Sequence, residues 1–433
     1  MNNRKATGFD FGLFLSLLSL SILCNGQNAN DKKKLVEDVP TPGALCAIKK
    51  AYQFTDLLFT PLDSICANPE KEYEAGKEYN GLIYSSVKET DTFVGIDVSL
   101  HTFMTALHNP RSVVYTEDVS KPPYHGVNSR AYYGVVCNTF VSYALGLRVS
   151  KSTFDFSTAE NMMRMEDQSS KGVRLADVIY EKGHVMLVTR IIRDASSGKA
   201  AQLEISEAKR PGCRRYMMPG EELDENIKAG KWCLYRYMYL EMNTYAPWTD
   251  FVAVGDEKLT QFKYNDVICT NRGDKACFIQ GDTVTLNVTE RFRTIEIYKD
   301  SVLYSKFRVG RNKDILLAGL PYGDYQARVR KFWKRSDYTY WKVIDTHVDV
   351  DVENKEVSFS SANAEPVYLE FCDISGVRPT EGVFELTERN VRDGRADVSG
   401  YKIPESRMEK GMYVKVHFEC DYGRVINRPV KWE

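Results

Sequence analysis

The chain has 433 residues, 43% of them hydrophobic, 12% aromatic and 27% charged, an ordinary folded composition that excludes disordered and fibrous classes. Lys and Arg number 58 against 59 Asp and Glu, so no global field points to nucleic acid or to an anionic membrane surface. At roughly 100–200 residues per domain, the length implies several domains with cores of their own.

The first element reads as a targeting signal. Arg4 and Lys5 precede an apolar run of 13 residues from Phe11 to Leu23, and Cys24-Asn25-Gly26 offers small residues for cleavage near Gln27. Segment 1–26 is therefore expected to be removed and the chain exported, to a periplasmic or extracellular location. An alternative makes Cys24 a lipid anchor, although the bulky Leu23 stands before it. No later stretch is long and apolar enough to span a bilayer, so no integral membrane segment is expected after cleavage. Without Cys24, nine cysteines remain of 10. They fall into neighbouring groups, Cys46 with Cys66, Cys213 with Cys233, Cys269 with Cys277 and Cys372 with Cys420, with Cys137 left over.

Next comes an amphipathic helix over 44–62, with Leu45, Ile48, Ala51, Phe54, Leu57 and Leu58 at helical spacing. Residues 27–75 are expected to form a helical segment packing on the domain that follows. A second helix is expected over 99–108, stopped by Asn109-Pro110, and a third begins at Cys137. Cys137, Phe140, Val141, Ala144 and Leu145 share one face of it, and Gly146 is its stop. Strands are expected at Leu175–Tyr180, Val185–Ile192 and Ala201–Ser206, the last two joined by a turn at Ser196-Ser197-Gly198. After Tyr245-Ala246-Pro247, short β-like runs with turns between them predict all-β sandwich modules over 250–348 and 349–433.

The chemistry concentrates in YYGVVCNTFVSYALGL (Tyr132–Leu147) and GHVMLVTRII (Gly183–Ile192). A cysteine in the first turn of a helix sits at the positive end of the helix dipole, which lowers a thiol's pKa, as does a nearby imidazolium. The alternative is that Cys137 is a small core residue. His184, flanked by Gly183 and an apolar strand, lies 47 positions later, and a thiol–imidazole pair needs closeness in space only. If Asp194 pairs with Lys199, paired numbers in the hairpin sum to 393. Glu207 then lies diagonally from His184 on the same face and Glu204 on the other. Glu207 is thus the candidate that orients the imidazole; a slip of one residue substitutes Ser206.

These two segments resemble the NlpC-type family of papain-like cysteine peptidases, over about residues 76–240. The resemblance implies a papain-like (NlpC-type) catalytic domain at 76–245, which with the one or two all-β sandwich-like modules read from the later strands gives an expected α+β fold class. It implies a nucleophilic Cys137 at a helix start, His184 on the first strand of the following sheet, and a polar third residue on the next strand. YNGLIYSSV (Tyr79–Val87) is similar to the family's upstream glycine-then-tyrosine motif, which makes Tyr84 a substrate-pocket residue. The family's typical activity, hydrolysis of amide bonds in peptidoglycan stem peptides, is implied in the same way. The run Val136-Cys137-Asn138-Thr139 departs from the family's common Asp-Cys-Ser-Gly, and related sites also host acyltransferases and other amidases.

His125, in PPYHGVNSR, is a further candidate for the wall of the cleft. His101 and His108 are seven apart, about 10 Å along a helix, too far to share a metal through helix geometry. The sequence has no standard zinc spacing and no phosphate-cradling glycine loop, so neither metal nor other cofactor is expected. The basic aromatic stretch 328–342 suits an anionic polymer or, more simply, an edge strand protected by Lys and Arg. The expected function is an exported thiol hydrolase acting on peptidoglycan or another peptide through Cys137, His184 and Glu207. The alternative is a non-catalytic surface or wall-binding protein whose β modules carry the binding.

Overall fold

The computed structural model describes residues 34–68, 71–84, 100–116, 133–147, 153, 156–159, 161–241, 268–288, 294–308, 314–330, 336–372, 379–386, 391–399, 412–427 and 430–433. The signal segment with Cys24 and the candidate His125 lie outside these residues.

The first unit begins with strand β1 (Leu35–Glu37) and helix α1 (Pro42–Thr55), which Thr41 caps by accepting from the Ala44 N–H at 3.2 Å. Helices α2 (Leu100–Leu107) and α3 (Cys137–Leu145) follow. Then come strands β2 (Met162–Arg164), β3 (Val178–Glu181), β4 (His184–Asp194), β5 (Ala200–Lys209) and β6 (Gly212–Pro219), helix α4 (Gly220–Lys228) and strand β7 (Trp232–Tyr237). The strands form one antiparallel sheet in the order β6-β5-β4-β3-β7-β2, with β1 on β4. Helix α1 ends at Thr55, short of the expected 62, because Leu58 and Phe59 leave the helix to pair with Asn80 and Tyr79. Helix α3 stops where Gly146 turns left-handed at φ 71°. All nine residues of α3 are buried, polar ones included. The core on this side runs from α1 through α3 to Val185 and Leu187 of β4. Phe54 stacks on Tyr143 at 4.6 Å and meets Phe140 at 5.9 Å. A second core on the sheet holds Met186, Val188, Ile205 and Leu223.

From residue 268 the chain is β-sandwich in character. Strands β8 (Ile268–Thr270), β10 (Val284–Val288) and β13 (Ile315–Leu317) form a three-stranded sheet. Strands β9 (Ala276–Ile279), β11 (Thr294–Lys299), β12 (Val302–Arg308), β14 (Gly323–Val329) and β15 (Asp337–Ile344) form a five-stranded one in the order β9-β15-β14-β11-β12. Trp341, fully buried and stacked on Tyr325 at 5.3 Å, centres the core between them. The last unit contains strands β16 (His347–Asp351), β17 (Glu356–Ser360), β18 (Glu365–Cys372), β19 (Pro379–Glu385), β20 (Val391–Arg392), β21 (Arg395–Asp397), β22 (Tyr413–Cys420), β23 (Gly423–Ile426) and β24 (Val430–Lys431). They build the sheets β16-β17-β21-β20 and β19-β18-β22-β23, with β24 on β22.

The expected fold class is corrected here. Strand exceeds helix by 48% to 17% among the described residues, so the chain is mostly β rather than an α+β catalytic domain with β modules appended. The helical periodicities are real but short: only α1 reaches 14 residues, and α2, α3 and α4 have 8, 9 and 9. Among the described residues, Cys46, Cys137, Cys213, Cys233, Cys269, Cys277 and Cys420 are free thiols. Of the basic stretch 328–342, residues 331–335 lie outside the described residues, and the described parts lie in strands inside their sheet rather than at its edge. Strand β14 runs inside its sheet and β12 lies at the edge, while Arg328 and Arg330 both donate to the buried Glu296 at 2.5 and 3.0 Å.

A turn of the first β unit docks on the first unit at α2 and the chain just after it. The Asn271 carbonyl accepts from the Val113 N–H at 2.9 Å, Asn109 donates to Thr270 O at 3.1 Å, and the Tyr133 hydroxyl donates to Arg272 O at 3.2 Å. Gly273 holds φ 102° at this contact, and a Cβ there would sit 2.4 Å from the Thr102 carbonyl oxygen.

Candidate active site

Three strips of chain meet ahead of α3. Ile83 bridges Gly212, Tyr84 bridges Val135, and the Tyr84 N–H donates to Pro211 O at 2.8 Å. Gly81 is required at the start of this strip: its φ is 90°, and a Cβ would fall 1.8 Å from the Cys213 carbonyl oxygen. The strip brings the Tyr84 ring to 5.9 Å from the Arg210 guanidinium and leads Gly134-Val135-Val136 into α3. Thr139 closes the first turn: its hydroxyl donates to Val136 O at 3.0 Å and accepts from the Val136 N–H at 2.9 Å. Cys137 is thereby fixed as the first residue of the helix, 5% exposed.

His184 opens β4, after Gly183 at φ 86°. The Leu187–Ser206 and Val188–Ile205 pairs sum to 393, and the Asp194 N–H donates to Lys199 O in the same register. Between them the ladder slips twice, so Arg190 pairs with Glu204. Carried toward His184, the register sets Glu207 diagonally across from it. The His184 Nε2–H donates to Glu207 Oε2 at 2.6 Å. Arg214, directly across from Glu207 on β6, donates to Oε1 through Nε at 2.8 Å and Nη2 at 2.6 Å.

Ser206, the alternative third residue, is engaged elsewhere, with its hydroxyl 3.0 Å from that of Thr189. Glu204 accepts from Tyr52 at 2.6 Å, Thr189 at 2.9 Å and Arg215 at 3.2 Å, away from the imidazole.

The electrostatics follow from these contacts. Burial penalises the imidazolium of His184, but hydrogen bonding and charge interactions with Cys137 and with Glu207 outweigh that penalty and raise its pKa from 6.5 to about 9. Burial likewise pushes the Glu207 carboxyl up, yet the bonds from His184 and Arg214 win and hold it below the usual carboxylate range. Glu207 is 1% exposed and the His184 side chain 18%, so the ring is the member of the group that meets solvent. Nε2 is committed to Glu207, which leaves Nδ1 as the other ring nitrogen.

His184 and Glu207 thus come together, with Cys137 near enough to bear on the charge of the ring, and Tyr84 stands beside the strip that carries Cys137. Arg214 was missed by sequence reading; its position across the β5–β6 hairpin from a buried glutamate is the signal that identifies it. His101 lies apart, 3.2 Å from Asp274. Among the described residues no group of three His, Cys, Asp or Glu side chains is placed to hold a metal. A cavity of about 340 Å³ lies against the start of α1 and is lined by Asp38, Thr41, Arg174 and Arg236 among others; none of the three site residues reaches it. No described helix is long and apolar enough to cross a membrane.

No family model matches the chain, and no curated protein matches it. Among solved structures it is similar to fibronectin(III)-like modules of Clostridium thermocellum CbhA, at 12% identity over 36% of this chain and 86% of that one, with a TM-score of 0.18. It is also similar to murine CEACAM1b, at 13% identity over 39% of this chain and 98% of that one, with a TM-score of 0.16. The human OSCAR ligand-binding domain gives 12% identity over 39% and 95%, with a TM-score of 0.17.

Proposed function

We propose that the chain is a thiol-dependent acyl-transfer enzyme whose simplest reaction is hydrolysis of an amide. The observation that carries this reading is the 2.6 Å bond from His184 to a buried Glu207, on a ring that also interacts with the thiol of Cys137. The Cys137 sulfur attacks the amide carbonyl carbon and forms the new C–S bond. The C–N bond breaks as the His184 imidazolium gives its proton to the leaving amine. Water then attacks the thioester carbonyl, His184 takes a proton from it, and the acid and the free thiol are released. First-turn N–H groups of α3 lack intrahelical acceptors and suit the developing oxyanion. Glu207 holds the ring in place and favours its charged form; Arg214 holds Glu207. Peptide amides, those of peptidoglycan stems included, are the substrate class to try first, because the sequence resemblance points there.

A second reading, a non-catalytic binding protein, is favoured by a different observation. The β units carry an edge strand, β12, with Val302, Leu303 and Tyr304 exposed at 69, 52 and 47%, and such surfaces serve binding. One experiment separates the two. Native chain is treated with iodoacetamide and, in parallel, incubated with peptidoglycan fragments whose products are weighed by mass spectrometry. Thiol catalysis predicts stoichiometric Cys137 labelling, depressed in His184→Ala, and products absent with Cys137→Ala. An inert Cys137 and identical product profiles would leave the binding reading.

A further inference from the structure

Away from the candidate site, two sulfurs from distant parts of the chain meet. Cys277 lies in β9 of the first β unit and Cys420 ends β22 of the last, 143 positions on, and their Sγ atoms are 3.0 Å apart. This is the place among the described residues where two thiols touch. Cys277 belongs to the hydrophobic core of the last unit, together with Ile279 and Ile344, so the contact sits on the seam between two sheets. A disulfide needs the sulfurs at about 2.05 Å, which is about 1 Å of closure for side chains already facing each other. We propose that Cys277 and Cys420 are a dithiol–disulfide pair that, when oxidised, staples the two β units across this seam.

The oxidant is a disulfide of small-molecule or protein origin, and the exchange balances. Cys420 attacks one sulfur of RS–SR, forms a mixed disulfide and expels one RS⁻. Cys277 then gives up its proton and attacks Cys420 Sγ, closing the internal bond and expelling the second RS⁻. The two protein thiols are oxidised, and the external disulfide is reduced to two RSH. The order of attack follows from position. Cys420 is half-buried and Cys277 buried. A hydrogen bond from the Cys277 thiol holds the Cys420 pKa below the usual thiol value, while burial pushes that of Cys277 up. The Tyr422 N–H also points at Cys420 Sγ, at 3.4 Å.

The test uses the full chain, purified reduced, then equilibrated with glutathione disulfide, alkylated under denaturing conditions and mapped by mass spectrometry without reduction. The expected result is a linked species joining the Cys277 and Cys420 peptides, together with a melting midpoint at least about 5 °C above the reduced form. Cys277→Ser and Cys420→Ser should each remove both the linked species and the midpoint difference. Glutathione added at Cys137 appears as a separate adduct and does not enter the count. Full alkylation of both cysteines after oxidation, linkage of either to another cysteine, or an unchanged midpoint in the oxidised chain would overturn the proposal.

Discussion

Two histidines, each beside a glutamate on a β-sheet, behave in opposite ways. His184 sits at a strand mouth with its side chain 18% exposed, bonded at 2.6 Å to a carboxylate that Arg214 also holds, and its pKa rises to about 9. His417, in the last unit, is fully buried, 3.5 Å from Glu370, and burial drives its pKa below the ordinary value. A carboxylate neighbour alone therefore does not make a working imidazole. The ring must also keep a short bond to that carboxylate, reach a nucleophile and retain contact with solvent. His184 has the short bond and the solvent contact that His417 lacks, and the proposed reaction supplies Cys137 as its nucleophile.

The largest effect expected is chemical and falls on one histidine only. His184→Ala should slow iodoacetamide labelling of Cys137, and any thiol-dependent turnover, by about 10²–10⁴-fold. His417→Ala should alter unfolding midpoints without touching either rate. Equal effects of the two substitutions on labelling would dissolve the distinction. Next in size is packing beneath the site. Phe54→Ala removes a fully buried ring that touches Phe140 and Tyr143 of α3, at a cost of about 3–5 kcal/mol in denaturant titrations. A loss below about 1 kcal/mol would mean that α3 is held by something other than α1. Smaller still is Gly273→Ala, which forces a Cβ against the Thr102 carbonyl at a left-handed position. It should cost about 1–3 kcal/mol and loosen the turn from α2, read as faster amide exchange at Val113. Unchanged exchange there would show that the turn does not tie the units together.

How much of this was legible in the chain depends on the range of the interaction. Local signals located α3, its left-handed stop at Gly146 and most strands, because period and capping act over a few residues. The His184–Glu207 contact was legible for a related reason: a single hairpin sum places Glu207 diagonally across from His184, and the two slips in β4–β5, which fall between Asp194 and Leu187, cancel so that the sum is restored before that end. The fold class was not legible. Short helical runs near Cys137 suggested an α+β domain, whereas the balance of strand over helix comes from pairings between distant segments. The meeting of Cys277 with Cys420 is likewise non-local, 143 positions apart in sequence. Arg214 was hidden because its role exists only once β6 pairs with β5.

The finest contrast between the histidines is in pH dependence. His184 binds its proton more tightly folded than unfolded, so its contribution to stability is fully present below about 6.5 and is lost as pH rises through about 9. His417 binds its proton less tightly folded, so its contribution is present above 6.5 and is lost as pH falls through its depressed value. His184→Gln should therefore flatten the decline of stability between pH 6.5 and 9, by about 1–2 kcal/mol after allowance for the exposed part of the ring. His417→Gln should flatten the acid side instead. Glu207→Gln removes one of the two partners that raise the imidazole, so the alkaline limb of Cys137 labelling should move down from near pH 9 while the labelled residue stays the same. An alkaline limb that stays put would mean that the Cys137 sulfur alone keeps the ring charged, and Glu207 would then be a residue that only positions it.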